Sequence, residues 1–437
     1  MASGGTAAPQ NRPTRENRPT RGGMILRLLG PGLVTGAADD DPSGIATYSQ
    51  AGAQFGYALL WTVFLTTPFM IAIQLVSALI GRVTGRGIIA NAKQFYPRPF
   101  VLAAVALLVV ANTINIAADI AAMGEALYLV IGGLKHEHAL IFAASSVLLQ
   151  VFVPYGRYEP FLKVLTVVLF LYIGVAFTVE VPWKQVALSA LVPTVSLRSD
   201  YLLLIIALLG TTISPYLFFW QAAQEVEEMA RGGRRTPLRD QKGAGSAELK
   251  RMGIDTTVGM VYSNLVAFFI IVTTAATLHA NGVTHIRSAA DAANALRPIA
   301  GDLTFLLFAL GIIGTGLLAI PVLAGSAAYG VAEAFGWPAS LAAKFPRAVG
   351  FYLIILAATI MGFAITFTPL DPIELLVWSA AINGVTAVPI MAMMMLIVTN
   401  KEAMGRFKAK PWLAYGGWGA TGLMAVTAAA ALWSLTG

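Results

Sequence analysis

Long, uniformly apolar stretches constrain the fold of this chain more than any other feature of its sequence. About ten segments of roughly 18 or more residues carry at most one charged side chain each. A helix needs ~20 apolar residues to cross the hydrocarbon core of a bilayer. These segments are apolar on all sides, whereas a large soluble helical protein would need amphipathic helices. The sequence therefore predicts an all-α polytopic membrane protein.

The composition agrees with this prediction. Hydrophobic residues make up 57% of the 437 residues and charged residues only 12%. The chain has no cysteine, which excludes disulfides and thiolate metal ligands. Residues 1–23 are polar and basic, and they predict a disordered cytoplasmic tail rather than a signal peptide. Residues 24–437 predict a single transmembrane domain.

The distribution of basic residues predicts the orientation. We place eleven helices, near 29–52, 57–81, 100–132, 139–154, 161–179, 201–229, 254–278, 301–331, 347–367, 373–398 and 411–435. Of the 29 Lys and Arg residues, only Lys135, Lys184, Arg198, Arg287 and Arg297 fall in the outer loops. The positive-inside rule then predicts an inner-membrane protein with a cytoplasmic N-terminus and an external C-terminus. The net charge of +7 is thus a topology signal, and no nucleic-acid partner is expected.

Two predicted helices contain a break. The first passes through the sequence GAADDDPSG (36–44) and the sixth through GTTISP (210–215). Proline lacks a backbone donor and clashes with the preceding turn, so each helix should break there. Breaks five helices apart are typical of a five-plus-five inverted repeat, whose substrate lies where the broken helices face each other. The repeats would span about 29–180 and 201–398, with an extra helix at 411–435, whereas Pro154 and Pro321 predict ordinary kinks.

Three consecutive aspartates lie at the first break. Asp41 precedes Pro42, which is a favourable N-cap followed by proline at the first helical position. Serine or asparagine would cap equally well without a charge, and a carboxylate at the bilayer centre costs ~2.5–3.5 kcal/mol. We therefore predict that Asp41 both caps the helix and binds an ion. Asp39 and Asp40 are expected to line the cavity or to support the ligands.

The third predicted helix carries a polar stripe. Asn112, Asn115 and Asp119 are spaced by three and four residues, which places them along one face. An intramembrane polar face should point into the bundle, so Asp119 is the best candidate for a second carboxylate. The alternative is an interhelical hydrogen bond of the kind polar side chains make in membranes. Glu125 falls on a different face and is predicted to be structural.

The ligand types favour a hard cation. The candidates are the carboxylates of Asp41 and Asp119, the hydroxyl of Ser214 and the carbonyl of Thr211 freed by the sixth helix's break. Oxygen ligands suit magnesium, calcium and manganese, and small residues around both breaks leave room for a partly hydrated ion. All four histidines lie in predicted outer loops, and no P-loop is present. We expect a transporter rather than an enzyme, without cofactors; its partners are the divalent ion and the lipid bilayer, with no protein partner implied.

The motifs at these positions resemble those of natural resistance-associated macrophage protein (NRAMP) metal transporters. The resemblance covers residues 24–435. It implies the five-plus-five fold of the amino acid–polyamine–cation superfamily (LeuT-like), a binding aspartate at Asp41 and a carbonyl ligand at Thr211. The matching segments are GPG (30–32), DPSG (41–44), QAGA (50–53), VTG (83–85), AAD (117–119) and TISP (212–215).

Several positions depart from the main family. Where the family has an asparagine ligand the chain has Gly44, and where it has a methionine ligand the chain has Ser214. The family's glutamine ligand in the tenth membrane helix corresponds to Ala380, in the predicted helix 373–398, and Asn383 lies one turn away. The resemblance thus places Gly44 and Ser214 at the metal and Ala380 and Asn383 beside it, but without the soft sulfur ligand.

Two residues linked to proton movement in the family are also replaced. The histidine after the sixth-helix proline is Tyr216, and a glutamate after the third-helix aspartate is Ala122. With the segment FFWQ ending at Gln221, this pattern resembles the NRAMP-related magnesium transporter branch, which implies a wider cavity and no proton coupling. The expectation is Mg²⁺ uptake with Mn²⁺ also accepted. The alternatives are a proton-coupled Mn²⁺/Fe²⁺ symporter and, in another class, a Na⁺-coupled amino-acid transporter.

Overall fold

The computed structural model describes residues 31–153, 169–231, 236–241, 245–286 and 288–436. The predicted tail at 1–23, Pro154, Arg287 and residues 161–168 of the fifth predicted helix lie outside this part of the chain. The α-helices are α1 (Pro31–Asp39), α2 (Pro42–Phe55), α3 (Leu60–Thr84), α4 (Ile88–Phe95), α5 (Arg98–Ile131), α6 (Lys135–Phe152), α7 (Phe170–Thr178), α8 (Trp183–Leu191), α9 (Ser199–Thr212), α10 (Pro215–Arg231), α11 (Ser246–Thr277), α12 (Ala289–Asn294), α13 (Arg297–Ala300), α14 (Thr304–Phe335), α15 (Val349–Ile365), α16 (Pro372–Thr399), α17 (Lys401–Met404) and α18 (Pro411–Thr436).

The predicted all-α membrane fold is confirmed. Each of the eleven predicted helices overlaps an observed helix, and the described residues contain no β-strand. Within them, seven helices are long and apolar enough to cross a membrane, counting α9 and α10 together, and α15 is a shorter apolar helix. Both predicted breaks are present, between α1 and α2 and between α9 and α10.

Two details of the prediction were wrong. The segment Ala230–Asp255 was expected to be a flexible loop, yet α10 extends to Arg231 and α11 begins at Ser246. The first residues of α11, SAELKRM, are mostly strong helix formers, and Glu248 lies favourably in the first turn. The short helices α4, α8, α12, α13 and α17 were not predicted, because they are too short to show a clear hydrophobic period.

The two breaks lie inside the helix bundle. Helix α5 packs extensively against α14 and α16, α9 packs against α16, and α11 packs against both α1 and α2. The residues of the first break are fully buried by this arrangement. Backbone that is not helical is tolerated at this depth only because protein surrounds it.

Glycines allow α1 to approach α11 closely. A Cβ added to Gly259 would lie 2.1 Å from the carbonyl oxygen of Gly32, and one added to Gly36 would lie 2.2 Å from the carbonyl oxygen of Gly259. Gly32 and Gly36 are four residues apart and so share one face of α1. This small-residue contact is the kind that lets helices pack backbone to backbone in membranes.

We expect Gly259→Ala to lower stability by about 1–3 kcal/mol, because the added methyl group overpacks the α1–α11 crossing. The measurement is the thermal unfolding midpoint of the detergent-solubilised protein. Gly253→Ala is the matched control on the same helix, since a Cβ there has no neighbour within 4 Å. Alanine should leave its stability unchanged or slightly raised. Equal destabilisation by both substitutions would contradict the close approach.

Candidate functional site

The first break is organised by the carboxylate of Asp41. Helix α1 ends at Asp39 and α2 begins at Pro42, and Asp41 caps α2 from an extended conformation (φ −68°, ψ 172°). Its Oδ1 accepts hydrogen bonds from the Gly44 amide at 2.7 Å and from the Ser43 hydroxyl at 2.6 Å. The capping role predicted for Asp41 is therefore confirmed.

The second carboxylate oxygen of Asp41 faces α5 and α10. Asn115 Nδ2 donates to Asp41 Oδ2 at 2.9 Å, and the Tyr216 hydroxyl lies 3.3 Å from the same atom. The Tyr216 hydroxyl is also 3.2 Å from the Ala38 carbonyl oxygen. Among the described residues no basic side chain pairs with Asp41. Its charge is thus stabilised by donors alone, without an opposite charge.

Asp119 on α5 is buried without any donor. The residue is 0% exposed, and neither carboxylate oxygen has a hydrogen-bond partner. It interacts electrostatically with Asp41 across the break. A buried carboxylate without a partner is costly, and either an opposite charge or a proton would relieve that cost.

Asp39 and Asp40 point towards α11 instead. The Ser263 hydroxyl makes a short hydrogen bond to Asp39 Oδ2 and lies 3.2 Å from Asp40 Oδ1. The other oxygen of each carboxylate, Asp39 Oδ1 and Asp40 Oδ2, has no partner. The three consecutive aspartates therefore divide between two sides of the break, and in the described chain no three acidic or histidine side chains converge as a metal-binding group.

The second break is stabilised by Ser214. Helix α9 ends at Thr212 and α10 begins at Pro215. The Ser214 hydroxyl lies 2.6 Å from the Gly210 carbonyl oxygen and 2.8 Å from that of Thr211. Both predicted ligands of this break thus contact each other. The Thr211 side chain is buried, and its carbonyl oxygen has a second lone pair for another ligand.

The two breaks meet at Gly44. A Cβ added there would lie 3.1 Å from Thr211 Oγ1, 3.2 Å from the Asp39 carbonyl oxygen and 3.3 Å from Tyr48 Cε2. The position where the family has an asparagine therefore borders both breaks at once. A larger side chain at residue 44 would occupy the space beside Thr211 and Tyr48.

Asn115 connects the first break to α16. Its Oδ1 accepts a hydrogen bond from the Ser379 hydroxyl at 2.8 Å and a long one from Asn383 Nδ2 at 3.5 Å. One turn away, the Ala380 carbonyl lies against the backbone of Gly210, where an added Cβ would be 2.0 Å from the carbonyl oxygen. The structure thus brings Ala380 and Asn383, both on α16, next to the breaks.

Two predicted supporting residues, Asn112 and Gln221, have hydrogen-bond partners other than Asp41. Asn112 Nδ2 donates to the Leu323 carbonyl and to Ser326 Oγ on α14, both at 2.8 Å, and so forms an interhelical hydrogen bond. Gln221 bonds Thr35 at 2.6 Å and Glu225 at 3.0 Å, and neither contact involves the aspartates of the break. Neither side chain contacts Asp41 in this structure.

Sequence reasoning missed four polar contributors: Ser43, Tyr48, Ser263 and Ser379. Ser43 had a local signal, because it follows the Asp-Pro pair and lies two residues after the capping aspartate. Ser263 was visible as a hydroxyl within an apolar helix. Tyr48 and Ser379 had a weaker signal in the sequence, since only the packing of α2 and α16 brings them to the breaks.

The outer histidines do not take part in the site. His279 Nδ1 lies 2.8 Å from the Ala53 carbonyl oxygen, and His136 stacks on Phe367 with ring centroids 4.9 Å apart. The expectation that all four histidines lie in loops was wrong for His136 and His138, which lie in the first turn of α6. The expected structural role of Glu125 agrees with its ion pair to Lys135 at 3.1 Å.

Comparisons with known proteins identify the family. Residues 32–434 match the family described as natural resistance-associated macrophage protein-like. The divalent metal cation transporter MntH of Klebsiella pneumoniae (strain 342) is 27% identical over 403 residues, which cover 90% of each chain. The MntH of Yersinia pestis (strain Pestoides F) is 26% identical over 419 residues, covering 93% of this chain and 92% of that protein.

Solved structures show the same fold at low sequence identity. The Eremococcus coleocola manganese transporter, in complex with an aromatic bis-isothiourea compound, has a TM-score of 0.75 and 16% identity, covering 96% of this chain and 89% of that one. MhsT in complex with L-phenylalanine has a TM-score of 0.55 and 14% identity, and the match covers 92% of this chain and 98% of that one. These relatives are membrane transporters, not enzymes. The chain is a multi-pass membrane protein that belongs to the natural resistance-associated macrophage protein-like family.

Proposed function

We propose that this chain transports divalent metal cations, with Mg²⁺ as its main substrate and Mn²⁺ also accepted, through a site between the two helix breaks. The observation that carries the proposal is Asp119, a fully buried carboxylate whose two oxygens have no donor. The negative charge of Asp41 repels it, and no basic side chain among the described residues forms an ion pair with either carboxylate. A divalent cation supplies the missing charge.

The proposed ligands are oxygen atoms. Asp41, Asp119 and the Thr211 carbonyl would hold the ion, with Ser214 and Gly44 beside it. Hard oxygen ligands suit Mg²⁺ and Mn²⁺, and magnesium usually keeps several waters. Residues proposed to line or support the site are Asp39, Asp40, Asn112, Asn115, Tyr216, Gln221, Ala380 and Asn383.

Transport would follow alternating access around this fixed site. We place the protein in the inner membrane with its N-terminus in the cytoplasm and its C-terminus outside, as the basic residues predict. The membrane potential then favours cation entry by ~2.3 kcal/mol per charge for each 100 mV. This driving force is sufficient for uptake without proton coupling.

The second candidate is proton-coupled Mn²⁺ or Fe²⁺ symport. It is supported by relatives named divalent metal cation transporters and by the fold shared with a manganese transporter. The test measures uptake of Mg²⁺, Mn²⁺ and Cd²⁺ into proteoliposomes and records internal pH. It distinguishes uncoupled Mg²⁺ transport from proton-coupled symport. Mg²⁺ uptake without acidification is the expected result, and Cd²⁺ preference with acidification would support the symporter.

Ser214→Met is expected to raise the affinity for Cd²⁺ relative to Mg²⁺ by about tenfold, which is ~1.4 kcal/mol. The substitution adds a soft thioether at the second break, and soft ligands favour soft metals. The measurement is the ratio of half-saturating Cd²⁺ and Mg²⁺ concentrations in proteoliposome flux.

Ser146→Met is the control for this selectivity change. Ser146 is equally buried, but it lies on α6 rather than at a break. The ion preference of this variant should equal that of the wild type. An unchanged Cd²⁺/Mg²⁺ ratio in Ser214→Met would place residue 214 away from the ion.

A further inference from the structure

A cavity of about 730 Å³ opens on the flank of the bundle, away from the helix breaks. It lies between α3, the beginning of α11 and the beginning of α18. Its wall is apolar and includes Leu75 and Leu79 of α3, Leu249 and Met252 of α11, and Leu413 of α18. An apolar wall of this kind suits hydrocarbon chains.

The rim of this cavity is strongly basic. Lys250, Arg406, Lys408 and Lys410 line it, and no aspartate or glutamate does. The three lysines are exposed, and the described residues offer none of them an ion pair. Arg406 is held in place by its contact with the Gln241 carbonyl oxygen at 3.0 Å. Three lysines without an ion pair among the described residues therefore surround one opening, and Arg406 lies beside them.

The first turn of α11 adds backbone donors to the same rim. Gly245, the N-cap of this 32-residue helix, provides no side-chain cap. The positive end of the helix dipole therefore lies beside the lysines. Gly245 and Ser246 line the cavity, whereas Glu248 of the same turn does not. Helix N-termini of this type favour phosphate groups.

We propose that this cavity binds an anionic phospholipid of the surrounding membrane. The phosphodiester would contact the lysines and the start of α11, and the acyl chains would lie along the leucines of α3. Trp412 at the rim is 58% exposed, as is common for tryptophan at a membrane interface. Basic pockets between membrane helices bind anionic headgroups in this way, and the apolar wall distinguishes a lipid from free phosphate.

The test measures binding of fluorescent phosphatidylglycerol and phosphatidylcholine to the full-length protein in detergent. The wild type should prefer phosphatidylglycerol. The triple variant Lys250→Gln/Lys408→Gln/Lys410→Gln should lose at least about tenfold in phosphatidylglycerol affinity, because each lysine near a membrane surface contributes about 1 kcal/mol, or about fivefold. Equal binding of the two lipids by the wild type would overturn the proposal.

Two controls separate this cavity from general surface charge. Lys344→Gln/Arg347→Gln/Lys401→Gln removes three exposed charges elsewhere and should retain wild-type affinity. Leu249→Trp should weaken lipid binding by filling the cavity without changing charge. Equal losses in both triple variants, or displacement of the lipid by millimolar inorganic phosphate, would overturn the assignment. Asp41→Asn should bind the lipid normally, so the result is independent of the proposed ion site.

Discussion

Asp41→Asn is expected to reduce Mg²⁺ and Mn²⁺ flux by about 100-fold or more, corresponding to ~2.7 kcal/mol, while the protein remains folded. Asparagine is as good an N-cap as aspartate, so the contacts with the Gly44 amide and the Ser43 hydroxyl can persist. The contacts of the other carboxylate oxygen with Asn115 and with the Tyr216 hydroxyl are weakened, each at a cost of about 1 kcal/mol. What the substitution removes is the negative charge proposed to hold the ion. The measurement is ion flux in proteoliposomes, with the thermal unfolding midpoint measured in parallel.

Asp371→Asn is the matched control, because Asp371 and Pro372 repeat the same Asp-Pro cap at the start of α16. Asp371 Oδ1 accepts hydrogen bonds from the amides of Ile373 at 2.9 Å and Glu374 at 3.3 Å. Transport by this variant should be unchanged, since the cap is exposed and lies outside the breaks. Wild-type flux in Asp41→Asn would exclude its charge from the transport mechanism.

Asp119→Asn is expected to weaken Mg²⁺ binding by about tenfold or more and to stabilise the ion-free protein. Both effects have one cause, because the wild-type carboxylate is buried without a donor and needs an opposite charge. Neutral asparagine lowers the cost of burial but no longer attracts the cation. The measurements are Mg²⁺ titration calorimetry and the unfolding midpoint with and without Mg²⁺.

Glu125→Gln on the same helix is expected to have the opposite effect on stability. Its carboxylate already has an opposite charge in Lys135, at 3.1 Å. Loss of that ion pair should lower the unfolding midpoint slightly and leave Mg²⁺ affinity unchanged. If Asp119→Asn bound Mg²⁺ like the wild type, Asp119 would be a structural residue, and the main support for the proposed site would be lost.

The sequence alone was sufficient to predict the long apolar helices and both helix breaks. A bilayer admits backbone only when its polar groups are satisfied within the protein, so apolar length defines each crossing. Pro42 and Pro215 then mark both interruptions at the observed residues. Pro68, Pro321 and Pro389, however, lie inside continuous helices. A proline breaks a helix only where other groups satisfy the freed backbone, as Asp41 and Ser214 do here.

The direction of each acidic side chain was decided by the tertiary structure. The position before Pro42 marks Asp41 as a cap, but nothing local shows which partners the three aspartates face. Asp39 and Asp40 face Ser263, more than 220 positions further along the chain, and Asp41 faces Asn115 and Tyr216. Likewise, Asn112 and Asp119 belong to one predicted stripe, but only Asn112 finds partners. Hydrophobic length and proline determine local structure, so their effects can be predicted from the sequence. Whether a buried carboxylate is satisfied depends on the distant helices packed around it.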